Sequence, residues 1–87
     1  MTGTRSGNGQ VIVYTSPGCP DCAAVKRYLA DRGVPFEERD ITAPGVADEA
    51  KSRYGVRVAP ITVIGASFFY GTFAQQKPQL DQALAST

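Results

Sequence analysis

The sequence predicts one α/β domain in which three helices flank a four-stranded mixed sheet, in the order β-α-β-α-β-β-α. Three observations carry that expectation. The chain has 87 residues and 43% hydrophobic content, enough for one modest core and too little for a second domain. Short β-branched runs alternate with stretches in which apolar residues recur every three or four positions. Late in the chain, two apolar runs are separated only by Gly65 and Ala66, the spacing of a tight hairpin; with a strand-helix-strand unit upstream, the sheet has to be mixed.

Residues 1–9 are polar and rich in Gly, Ser and Thr, without the apolar segment of an export signal, and read as a disordered tail before a domain at 10–87. "QVIVYTS" (Gln10 to Ser16) is a β-branched run stopped by Pro17 and Gly18, which fits a buried strand ending in a turn. From Pro20 the period becomes helical: Cys22, Val25, Tyr28 and Leu29 share a stripe, Lys26, Arg27, Asp31 and Arg32 take the other side, and Gly33 stops the helix. "VPFEERDI" (Val34 to Ile41) alternates loosely as a second strand with Val34, Phe36 and Ile41 as core candidates. Val46 to Tyr54 is a short amphipathic helix ended by Gly55. "PITVI" (Pro60 to Ile64) and "SFFY" (Ser67 to Tyr70) form the hairpin. The last helix is expected to begin near Pro78, whose fixed φ suits a first helical position, with Leu80, Ala83 and Leu84 as its apolar stripe.

Nine basic and eight acidic residues give a net charge of +1, so nothing points to a nucleic-acid groove or an anionic membrane surface. No apolar run approaches the roughly 18 residues of a membrane span. The reading is a cytoplasmic monomer without nucleic-acid or membrane partners. The aromatics Tyr14, Phe68, Phe69 and Tyr70 fall at strand spacing, where core or cross-strand packing explains them without a binding role.

Chemistry concentrates in "PGCPDC", residues 17–22, which holds both cysteines of the chain. A permanent disulfide between Cys19 and Cys22 would close a very short loop and constrain the unfolded chain little. A structural zinc site takes four ligands, and with two Cys and no His a metal or cluster would need carboxylates, an external thiol or a second subunit. A redox couple needs nothing more. Cys19 lies in the turn between strand and helix, so its sulfur falls at an N-cap, where unsatisfied N–H groups and the helix dipole favour an anion. Thiolate is the attacking species. Cys22 sits one turn in, on the core-facing stripe, close enough to reach Cys19 and too enclosed to attack a bulky substrate first. Cys19 would then attack a disulfide and Cys22 resolve the mixed disulfide. Pro20 suits helix position N1. Asp21 either tunes the pair or is simply a good first-turn residue.

"VYTSPGCPDCAAVKRYL" resembles the active-site strand and helix of glutaredoxins, and "GVRVAPITVI" resembles their later segment, in which a basic residue and a cis-proline precede a strand. The resemblance spans about Gln10 to Leu84 and implies a thioredoxin fold. It implies a dithiol–disulfide oxidoreductase that reduces protein disulfides or mixed disulfides and has no bound cofactor. It also implies a cis peptide at Ala59–Pro60 opposite the cysteines, where the Ala59 backbone would pair with a substrate chain or thiol tripeptide, and Arg57 as a contact for an anionic thiol. Ser16 stands where many glutathione-using members carry Lys, and "YGTFAQQKP" lacks the acid that follows their Gly pair, although Gly71 and Thr72 remain candidates to line the site. Gly71 and Phe73 loosely match the NrdH-redoxins. The electron donor is thus open between a small thiol, glutathione or mycothiol, and thioredoxin reductase with NADPH. A non-enzymatic dimer sharing a metal or iron–sulfur cluster, or a thiol redox sensor, are the alternatives.

Overall fold

The computed structural model describes residues 10–85, so the tail expected at 1–9 lies outside the described residues. Its elements follow the predicted order: β1 (Val11–Thr15), α1 (Pro20–Asp31), β2 (Glu37–Asp40), α2 (Val46–Tyr54), β3 (Ile61–Ile64), β4 (Ser67–Tyr70) and α3 (Phe73–Ala85). The four strands form one sheet in the order β2-β1-β3-β4; β1 and β2 are parallel, and the other two pairs are antiparallel.

Alternation along the strands divides the core in two. Val11 and Val13 of β1 and Ile64 of β3 pack with Val25, Tyr28 and Leu29 of α1 and Leu80 of α3. Tyr14, Ile61 and Val63 point the other way, onto Val46 and Ala50 of α2. The result is a sheet sandwiched between the α1/α3 layer and α2. Covered on both faces and flanked on both edges, β3 is buried along its whole length, which is why "ITVI" reads as an unbroken apolar run.

Three sequence expectations shift. The second strand is shorter than Val34 to Ile41, because β2 is an edge strand with a mostly exposed "EERD"; Val34, Phe36 and Ile41 reach the two cores from its flanks. The third strand begins at Ile61, after Pro60. The last helix does not begin at Pro78. It begins at Phe73, with Pro78 in its sixth position. The Thr72 hydroxyl accepts from the Gln75 amide at 3.1 Å while the Gln75 side chain accepts from the Thr72 amide at 2.9 Å, a reciprocal capping box that starts the helix earlier. Pro78 forgoes one ladder bond, to the carbonyl of Ala74 on the exposed face, where water can take its place.

The aromatics also divide. Tyr14 is buried and Phe69 packs against the α1/α3 core, but Phe68 and Tyr70 are exposed and stack on each other with centroids 6.3 Å apart. No helix among the described residues is long and apolar enough to cross a membrane.

Candidate active site

β1 delivers the chain into Ser16-Pro17-Gly18-Cys19. Pro at the second position, Gly at the third with φ +74° and a Cys19 N–H to Ser16 carbonyl bond of 3.3 Å together make a type II turn. That turn places Cys19 in an extended conformation as the N-cap of α1, with Pro20 at the first helical position. Its sulfur accepts the Cys22 backbone N–H at 3.1 Å. One helix-terminal donor is thereby satisfied by sulfur, where Ser, Thr, Asp or Asn would ordinarily supply oxygen.

Both cysteines are free thiols, but their surroundings differ. Cys19 is partly exposed and Cys22 is 1% exposed. Burial, then the hydrogen bond to Cys19, pushes the Cys22 thiol up to about 11, with the Ser16 backbone and the Lys26 ammonium pulling the other way. At neutral pH Cys22 is therefore a protonated, enclosed thiol beside an accessible sulfur.

Behind the pair lies an open cleft of about 440 Å³ lined by both cysteines, Thr15, Lys26, Glu38 and Asp40 among others. Lys26 follows Cys22 by one helical turn, and its ammonium meets Glu38 of β2 at 3.0 Å; the Thr15 hydroxyl donates to the same carboxylate oxygen at 2.8 Å. Lys26 and then Thr15 hold the Glu38 carboxyl below its ordinary value.

Asp21, between the cysteines, reaches out of its own helix. Its carboxylate accepts the backbone N–H of Phe73 at 3.1 Å, the first residue of α3, and so ties the cysteine turn to the start of the last helix. Pro60 and Gly71 are joined to the same neighbourhood through Gln76, a fully buried residue of α3 whose side-chain amide donates to the Pro60 and Gly71 carbonyls, each at 3.0 Å. The Ala59–Pro60 peptide is cis. Asp21, Pro60, Gly71 and Thr72 are thus brought onto one connected framework. Arg57 is not: its exposed guanidinium pairs loosely with Asp48 of α2 at 3.7 Å. Sequence reasoning missed Lys26, Glu38, Gln75 and Gln76. Only Gln75 had a local signal, the T-x-x-Q spacing. Among the described residues no group of three or more His, Cys, Asp or Glu could hold a metal ion.

The family model described as Glutaredoxin matches residues 11–69. This chain belongs to the glutaredoxin family. Membership makes it a thiol–disulfide oxidoreductase of the thioredoxin fold, and Cys19, Cys22, Pro60 and the hairpin as far as Phe69 fall within the matched span. The chain is 35% identical over 78 residues to the N-acetyl-S-hydroxy-L-cysteine reductase of Bacillus subtilis, covering 87% of this chain and 84% of that protein. To the glutaredoxin-like protein NrdH of Escherichia coli it is 32% identical over 56 residues, 64% of this chain and 69% of that one. Among solved structures, the thioredoxin-like protein BC3987 superposes with a TM-score of 0.74 at 31% identity, over 85% of this chain and 99% of that one. The glutaredoxin of Brucella melitensis gives 0.65 at 35% identity, over 87% and 83%.

Proposed function

We propose that this glutaredoxin-family enzyme reduces disulfides and mixed disulfides with Cys19 as nucleophile and Cys22 as resolving thiol. The observation that carries the proposal is the asymmetry of the pair: an accessible sulfur at a helix N-cap beside an enclosed, protonated thiol. Cys19 thiolate attacks one sulfur of R–S–S–R′, forming Cys19–S–S–R and releasing R′–S⁻, which takes up a proton. Cys22 then loses its proton and attacks the Cys19 sulfur, giving the internal disulfide and R–SH. The donor that returns two electrons is either a small thiol or thioredoxin reductase.

A second substrate class follows from the similarity to a reductase whose named substrate is a cysteine sulfenic acid. Cys19 thiolate attacking the sulfur of R–SOH expels hydroxide, which leaves as water, and forms the same mixed disulfide; Cys22 resolves it to R–SH. Both reactions need the two thiols alone.

The deciding experiment follows NADPH consumption with the oxidised protein and a common disulfide, offered in parallel thioredoxin reductase or glutathione or mycothiol with its own reductase. Turnover in at least one arm supports the reading, the productive arm names the donor, and no turnover in any arm overturns it. Cys22→Ser is expected to accumulate a mixed disulfide at Cys19, seen by mass spectrometry; absence of any adduct counts against the division of roles.

A further inference from the structure

Gln76 is 0% exposed and makes three side-chain hydrogen bonds: its oxygen accepts from the Thr62 hydroxyl at 2.7 Å, and its amide donates to the carbonyls of Pro60 and Gly71 at 3.0 Å each. The two carbonyls belong together. Ile61 opposite Tyr70 is the last pair of the β3/β4 ladder, and Pro60 and Gly71 are the residues that flank it, where the next pair would form. A normal antiparallel pair at that step would exchange N–H···O bonds, but proline has no N–H to give, and the ladder cannot close there from the backbone alone. The carboxamide of Gln76 supplies donors to both carbonyls from inside α3. Thr62, also fully buried, fixes which end of the carboxamide faces the carbonyls.

We infer that Gln76 is a positioning residue for substrate backbone: by bridging Pro60 and Gly71 it holds the Ala59–Pro60 segment and the Gly71–Thr72 turn in register. These are two walls of the framework that Asp21 links to the redox turn. The inference rests on the proposed disulfide reduction. Its consequence is selective. A peptide disulfide that pairs its chain with the Ala59 segment needs the register, whereas a small disulfide needs only Cys19 and Cys22. An apolar residue at 76 would leave the buried Pro60 carbonyl and Thr62 hydroxyl, and the half-buried Gly71 carbonyl, without their partner, so the segment would shift to find others.

The test compares wild type with Gln76→Met on two substrates, insulin as a peptide disulfide and 2-hydroxyethyl disulfide as a small one. A rise of about tenfold in KM for insulin is expected with kcat for insulin and the small-disulfide rate within about twofold of wild type. An unchanged insulin KM overturns the inference, as does a parallel fall on both substrates with native circular dichroism. Should Gln76→Met fail to fold, Thr62→Val removes only the hydroxyl that orients the carboxamide: a rise of about threefold in insulin KM at unchanged small-disulfide rate is expected, and no rise overturns the inference. Wild type inactive on both substrates would instead sink the proposed disulfide reduction, which keeps the two failures distinct.

Discussion

Two helices, α1 and α3, begin at the same end of this molecule, joined by the Asp21 carboxylate, and they solve the same problem differently. Every helix start exposes N–H groups that need acceptors. At α3 the acceptors are oxygens: Thr72 and Gln75 cap each other, and Asp21 takes the Phe73 amide. At α1 the acceptor for the Cys22 amide is the sulfur of Cys19. On the roles proposed for Cys19 and Cys22, this contrast is how an ordinary structural position becomes a redox site. A capping oxygen is chemically inert once satisfied, whereas a capping sulfur keeps the electrostatic benefit and remains a nucleophile.

Replacing the sulfur by oxygen tests that contrast most strongly. Cys19→Ser makes α1 resemble α3, so disulfide reduction should fall by about three orders of magnitude or more, while stability stays within about 0.5 kcal/mol because serine is itself a favoured cap. Activity assay and urea titration of the same preparation check both halves; a large loss of stability would mean that the sulfur is held by more than its capping bond.

A second test concerns the enclosed partner. The Cys22 thiol moves from its ordinary value of 9.0 to about 11 in the fold. Between those values the folded state keeps a proton that the unfolded state has released, so the stability from this group is present below pH 9 and is lost as pH rises towards 11. Wild type should therefore lose roughly 2 kcal/mol more than Cys22→Ala across that interval, a difference in which Tyr14 and Tyr28, raised by burial in both proteins, cancel. Parallel slopes in urea titrations at the two pH values would refute the burial argument.

Smaller effects belong to α3. Thr72→Ala should cost about 1 kcal/mol in urea unfolding with the small-disulfide rate preserved, the reverse of the Cys19 result. Smallest of all, Asp21→Asn keeps an oxygen to accept the Phe73 amide and loses only the charge, which faces the N-termini of both α1 and α3. A loss of about 0.5 kcal/mol, removed by high salt, is expected in denaturant titrations at low and high ionic strength.

Legibility in the sequence followed the range of the interactions. The stripe Cys22, Val25, Tyr28 and Leu29 is buried as its spacing required, and α2 and β4 have the predicted boundaries, because periodicity and glycine stops act within a few residues. The start of α3 was misread because a proline that fits a first helical position also survives in the interior of a helix when the carbonyl it abandons faces solvent. β2 shrank because an edge strand is defined by its neighbour as much as by its own alternation. Around the candidate site, the N-cap position of Cys19 and the buried position of Cys22 were readable from the turn, the helix start and the stripe. Lys26 and Glu38, in contrast, look like members of ordinary solvated faces until β2 is laid beside α1.

By itself, then, the sequence determined the order of elements, the placement of a thiol at a helix start and its partner on the buried face, all consequences of backbone geometry within a turn or two. Tertiary structure alone decided that Asp21 caps a helix 52 residues away and that Gln76 bridges the carbonyls of Pro60 and Gly71. Those pairings depend on which backbone groups the packed fold leaves without partners, a property of the assembled sheet and helices that no local pattern encodes.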